Sequence, residues 1–251
     1  GMLIVVIILA GILSGVFTAT ESAAIAVLWA LLVTTLVYRT LGWRGPRLGY
    51  WWIPDQYSLA RLEQLHPRGP QAPPRFVFFS TITTHLPFSP VPPFQPDWDR
   101  LLSEQPFDTA DTQRALAETP QWTDMFPDFL RMFDYAYRWL GAWLQRPEPR
   151  ESVYVLVGDH QPAASITGEG ASWDVPVHIV SRDASLLQKF LAQGFAAGLE
   201  PPREALGPMH ALTGMLLNAF GTAPTGTLAG RSAAPGAAAA VGAATWSGAQ
   251  R

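Results

Sequence analysis

The first 38 residues carry a single charged side chain, Glu21. It lies with Thr18, Ala19 and Thr20 between two apolar runs of 17 residues each, GMLIVVIILAGILSGVF and SAAIAVLWALLVTTLVY. Runs of that length are at the short end of what crosses a bilayer, and neither has a polar stripe to mark a water-facing side. Four intervening residues allow only a tight reversal, so residues 1–45 are expected to form a two-helix membrane hairpin or broken helix pair. The competing reading is a buried helical hairpin of a soluble protein. Arg39, Arg44 and Arg47 follow the second run and form the basic flank expected on a cytoplasmic side. The chain opens on Gly1 and Met2 with no charged segment before the apolar run, so the run reads as an internal piece of something longer rather than a signal peptide.

From residue 46 the character changes. Charged residues appear at ordinary density and the apolar runs shorten to strand length. RFVFFSTITT (75–84), SVYVLV (152–157) and DVPVHIV (174–180) are rich in β-branched and aromatic residues between loop signals, so each is expected to be a strand. Pro176 points to an edge position or a late start for the third. Helical spacing covers 128–146, 185–199 behind an Asp183 cap, and 209–220. Strands alternating with helices predict an α/β layered domain with a mostly parallel sheet over 46–222. The Ala/Gly-rich stretch 223–251 lacks periodicity and is expected to be a disordered tail.

Composition excludes several chemistries. Lys plus Arg number 17 against 20 Asp plus Glu, a net charge of −3, which gives no basic face for nucleic acid. There is no cysteine, hence no thiolate nucleophile and no cysteine zinc site. The chemistry-bearing groups gather instead at predicted strand exits, where α/β sheets place function. Asp159 and His160 follow the strand at 152–157, and His85 follows the one at 75–84. A carboxylate beside an imidazole is a hard-oxygen and nitrogen pair suited to a divalent metal, Zn²⁺, Mn²⁺, Mg²⁺ or Ca²⁺. His85 has the plainer alternative of capping a loop, and His178, inside its strand between Val177 and Ile179, reads as structural.

Val153–Ala164, a hydrophobic strand running into Gly158, Asp159 and His160, resembles the C-terminal metal-binding segment of the alkaline phosphatase/sulfatase superfamily, in particular its membrane-anchored sulfatase-like branch. That family usually has Gly after the Asp-His pair, where this chain has Gln161 and Pro162. TITTHLPF (81–88) is similar to the family's strand-exit histidine segment, and WDVPVHIV (173–180) to its later strand. The resemblance implies a partial sulfatase-like domain, with Asp159 and His160 as metal ligands and His85 contacting an anionic phosphate- or sulfate-ester substrate. The family's Thr, Ser or formylglycine nucleophile and its upstream acidic ligand have no counterpart here. No catalytic nucleophile is identified, and a missing N-terminal half or a second chain would have to supply one.

Gly15-Val-Phe-Thr-Ala-Thr-Glu-Ser22, followed by an Ala/Val-rich run ending in Val37, Tyr38 and Arg39, resembles the large permease subunit of tripartite ATP-independent periplasmic (TRAP) transporters. Ala19 stands where that family usually has Pro, and Ser22 where it has Ala. A lone carboxylate between apolar runs is costly in lipid unless it faces a cavity or a cation. The resemblance therefore implies an ion or substrate role for Thr18, Thr20 and Glu21. The plainer reading has Glu21 capping the second helix as an early-turn carboxylate.

Three functions follow as expectations. The main one is the C-terminal portion of a membrane-anchored, metal-dependent sulfatase- or phosphatase-like hydrolase or phosphotransferase in a bacterial inner membrane. The alternatives are a truncated TRAP-type dicarboxylate permease fragment or a catalytically inactive, membrane-anchored binding module. Basic residues after the apolar runs place 46–222 in the cytoplasm, whereas the sulfatase-like branch works outside it. That conflict is what two joined fragments would produce.

Overall fold

The computed structural model describes residues 42–50, 52–147, 151–221 and 240–247. The hairpin expected over 1–45 falls almost wholly outside these residues, and among the described residues no helix is long and apolar enough to cross a membrane. The described fold therefore contains no two-helix membrane hairpin. It divides into two compact units: one from 42–66, Phe79–Pro120 and Arg131–Ala142, the other from Pro67–Phe78, Gln121–Leu130 and the residues after 142.

The first unit is helical and loop-rich. Helix α1 (Asp55–Leu65) starts directly after Pro54, whose φ of −62° leads into a helix without a donor to spare. Tyr57 and Ala60 bury one face of α1 against Leu48, Ile53, Leu101, Phe107 and Ala115. Trp43 closes that cluster with its ring centroid 4.6 Å from Tyr57. Short helix α2 (Trp98–Leu101) is capped by Asp97, which accepts from the backbone N–H groups of Asp99 and Arg100. Helix α3 (Thr109–Leu116) contributes Ala115 to the core. Helix α4 (Phe126–Leu144) buries Met132, Tyr135 and Trp139 at the three-and-four spacing of a single helical face. The helix expected over 128–146 is thus present with slightly earlier bounds.

The proline-rich connection after α1 is held by an amide pair. Gln56 Nε2 donates to the Gln95 carbonyl at 2.6 Å, and Gln95 N–H donates back to Gln56 Oε1 at 3.2 Å. Gln95 Nε2 then reaches the Pro106 carbonyl at 2.6 Å. Both glutamines are buried, so each bond made here avoids leaving a polar group unsatisfied.

The second unit is a sheet covered by helices on one face. Strand β1 (Val153–Val157) pairs antiparallel with β2 (Val175–Ser181), which pairs antiparallel with β5 (Ala240–Ser247). The far edge of β5 is shared by β3 (Ala196–Ala197), antiparallel, and β4 (Ala205–Pro208), parallel. Three of the four pairings are antiparallel, which overturns the mostly parallel sheet expected from the sequence. The cause lies between β1 and β2. A parallel return needs a crossover, usually a full helix. Here the connection holds only the four-residue α5 (Ala164–Thr167), and the chain turns straight back.

The core face of the sheet presents Val175, Val177 and Ile179 from β2 opposite Trp246, Ala244 and Gly242 from β5. Helix α6 (Ala184–Leu191) packs Leu186, Leu187 and Phe190 onto that face, and α7 (Ala211–Phe220) adds Leu212 and Ala219. Pro176 is tolerated in a central strand because of its place in the ladder. Its carbonyl accepts from Gly158 N–H, so its donor-less nitrogen faces the β1 side just beyond the last β1–β2 pair, Val157 with Val177.

Helix α6 begins at the expected cap but ends well before 199. Asp183 Oδ1 accepts from Ser185 N–H at 2.8 Å and Leu186 N–H at 3.1 Å. Asp183→Ala is expected to lower stability by about 1 kcal/mol, measured by urea denaturation of the full chain. At the other end Gly194, at φ 100°, closes the helix: its N–H reaches the Leu191 carbonyl and Phe195 N–H reaches that of Phe190. This paired closure is the usual use of a C-terminal glycine.

Two further expectations are corrected. Residues 75–80 join no ladder, and Phe76 and Phe78 are 92% and 85% exposed where a buried strand was expected. A β-branched and aromatic run becomes a strand only where a neighbour supplies its backbone partners, which propensity does not report. Conversely, Ala240–Ser247, inside the stretch expected to be a disordered tail, forms the strand through which β2, β3 and β4 are joined.

Candidate functional site

The described residues bring two groups of sequence-predicted positions into view, one in each unit. In the first, His85 sits in the loop Thr81–Phe88, with no strand leading into it. That loop is fastened by Asp55 at the start of α1. The Asp55 carboxylate accepts from Ile82 N–H at 3.0 and 3.1 Å and from Thr83 N–H at 2.8 Å. In return Asp55 N–H donates to Thr83 Oγ1 at 3.1 Å. Asp55 is 2% exposed, and this burial pushes its carboxyl above the ordinary value, opposed by the bonds from Thr83 and Ile82. Tyr135 nearby is held well above the usual phenol range by burial and then by the Asp55 charge. In the sequence Asp55 reads as an acid in a proline-flanked loop with no strand before it, whereas it opens α1. The signal that marks it is an acidic residue directly after a proline at a helix start.

Past Thr83 the loop turns outward. The His85 ring stacks on Tyr50 at 4.0 Å between centroids and 25° between planes, and its Nδ1 lies 3.0 Å from the Leu86 carbonyl. Two residues along the chain from Tyr50, the Trp52 ring has the Arg47 guanidinium 4.2 Å above it. His85 therefore belongs to an exposed aromatic and basic surface, not to the mouth of a sheet.

In the second unit, Asp159 and His160 do follow β1, as expected, across Gly158. Both are exposed: 87% of the Asp159 side chain and 67% of the His160 side chain. Asp159 Oδ1 accepts from His160 N–H at 2.9 Å, His160 Nε2 stands 3.5 Å from Asp159 Oδ2, and His160 Nδ1 lies 2.7 Å from the Gln161 carbonyl. The pair is turned on itself and on its own loop. Among the described residues no three His, Asp or Glu side chains come together as metal ligands, and protein metal sites commonly use three or four. These residues do not fit the divalent metal that the sulfatase resemblance implied, and no chemistry is derived through one. His178 lies within β2, as expected, with its Nε2 2.8 Å from the Leu199 carbonyl. Thr18, Thr20 and Glu21 lie outside the described residues.

The comparisons with known proteins bear on the N-terminus. Residues 1–46 match the family model "Tripartite ATP-independent periplasmic transporter, DctM component". Over 42 residues the chain is 48% identical to the C4-dicarboxylate TRAP transporter large permease protein DctM of Vibrio cholerae serotype O1, covering 17% of this chain and 9% of that relative. The chain thus spans less than a tenth of the length of that curated relative. No solved structure matches the chain. The TRAP resemblance is supported for the N-terminal stretch. The reading of 46–222 as a metal-binding sulfatase-like hydrolase is corrected: the sheet is mainly antiparallel and no metal cluster forms among the described residues.

Proposed function

We propose that this chain is a membrane-associated protein whose residues 1–46 are a segment of a TRAP-type large permease, with dicarboxylates as the substrate class of the parent transporter. The observation that carries the reading is the family match over 1–46, which contains Gly15–Ser22 and its lone acid, Glu21. The chemistry agrees with it. A carboxylate between Thr hydroxyls and small residues is stable amid apolar sequence when it meets a cation or a water-filled cavity. Thr18, Thr20 and Glu21 are then the groups that contact Na⁺ or a polar path.

Two measurements test this. The full chain, expressed in a bacterium, is expected in the membrane fraction and to stay there after an alkaline carbonate wash; recovery in the soluble fraction would refute the reading. Residues 1–46 grafted over the matching stretch of a dicarboxylate large permease should preserve Na⁺-driven uptake, and Glu21→Gln in that graft should lower it by roughly tenfold or more, the loss of about one charge-assisted contact. Uptake indifferent to Glu21→Gln would remove the ion role while leaving the segment assignment intact.

A further inference from the structure

Soon after the apolar stretch 1–38, which carries one charge, the chain displays Arg47, Tyr50 and Trp52 on one short loop. Leu48 and Ile53 are 1% and 7% exposed and fix the two ends of that loop in the core of the first unit. Gly49 N–H donates to the Pro90 carbonyl at 3.1 Å, beside the Leu48 anchor. Between these anchors the side chains of Tyr50 and Trp52 face out. Tyr50 is 44% and Trp52 47% exposed, and Trp52 is held at φ 65°, a left-handed conformation that non-glycine residues adopt at a cost. Holding a tryptophan in that conformation while 47% of it stays in water recovers little of the cost through burial, and within the chain its ring meets the Arg47 guanidinium.

We propose that Arg47, Tyr50, Trp52 and His85 form a bilayer-contact surface that seats the first unit on anionic lipid headgroups. The proposal rests on the reading of residues 1–46 as a permease segment, which places a membrane directly before this loop. Tryptophan and tyrosine rings favour the boundary between headgroups and acyl chains, where one edge is apolar and the other wet. Arg47 stacks over Trp52 at 4.2 Å, so its charge is delivered at the same depth as the ring. A basic side chain at an anionic surface adds to that attraction. Arg44 contributes less, because it already pairs with Glu104. Tyr50 and His85, stacked at 4.0 Å, widen the flat aromatic face beside them.

The absence of cysteine from the chain makes the test direct. Tyr50→Cys carries a polarity-sensitive fluorophore on the full chain, reconstituted with vesicles of phosphatidylcholine and phosphatidylglycerol that contain a headgroup-region nitroxide quencher. The label is expected to be quenched by roughly twofold or more, while the same label at Gln188→Cys, an exposed position in α6, stays water-like. Arg47→Ala should shift the docked-to-undocked ratio about fivefold toward undocked. Trp52→Asn, which suits the left-handed backbone, should release the label with the melting temperature unchanged. A water-like label on chains that co-float with the vesicles overturns the surface and leaves the permease-segment reading standing. Chains that do not co-float overturn both. Equal quenching at Gln188, or equal docking on phosphatidylcholine alone, overturns a specific anionic-lipid contact.

Discussion

A chain ending at Gly221 is expected to lose the cooperative unfolding of its second unit altogether, although the deleted stretch looks dispensable by composition. The deletion removes β5, which pairs with β2 from Val175 to Ser181 and carries both β3 and β4 on its other edge. It also empties the core of Trp246, Ala243 and Ala244, all 0% exposed. Stripped of β5, β2 keeps only β1 beside it, and a lone two-stranded ribbon is marginal in water. The apolar face of α6, with Leu186, Leu187 and Phe190, would then have half a sheet to cover. The graded version of the experiment is Trp246→Ala, expected to cost about 3–5 kcal/mol. Near-ultraviolet circular dichroism and urea unfolding check both. A truncated chain that still melts cooperatively in its second unit would show that β5 is not central to it.

Asp55→Ala is expected to destabilise the first unit by about 3 kcal/mol. The substitution leaves the backbone donors of Ile82 and Thr83 without the acceptor that now holds them at 2.8–3.1 Å, and each orphaned buried donor costs about 1–3 kcal/mol. Part of that loss is offset by removal of a buried carboxylate. The offset depends on pH, with a definite sign. Burial raises the folded Asp55 carboxyl above its ordinary value of 3.8, so the native state binds the proton more tightly than the unfolded chain. Stability attributable to this group is therefore highest below that value, declines as pH rises from 3.8 through the raised folded value, and is level beyond it. Asp55→Asn keeps one acceptor and cannot ionise, so the gap between it and the parent chain should narrow as pH rises through the window. Urea denaturation at several pH values measures this; a constant gap would mean that Asp55 titrates normally in the fold.

Much of the local structure is legible in the sequence. Asp183 announces the start of α6, the three-and-four spacing around Met132, Tyr135 and Trp139 announces α4, and VYVLV and VPVHIV are strands. The distinctive run Gly15–Ser22 marks the permease-like segment without any structure. These signals are local: a cap, a helical face or a motif is complete within a few residues and carries its own physical cause. The candidate site was legible only in part, since Asp159 and His160 do leave β1 together but gather no third ligand among the described residues.

What only the tertiary structure decided is which segments become neighbours. FVFF at 76–79 has the side chains of a strand and lies outside every ladder, whereas AVGAATWS has the composition of a linker and joins the sheet. The difference is partnership. Small residues such as Gly242, Ala243 and Ala244 let β5 sit between its neighbours and beneath the α6–α7 layer, a fit that appears only once β2 and Phe195 are in place. Strand direction is settled the same way, by a connection too short in helix to cross over. By itself the sequence determined caps, faces and a transporter-like motif; hydrogen-bond partners and close packing between distant residues determined the sheet, because neither exists until the chain has closed on itself.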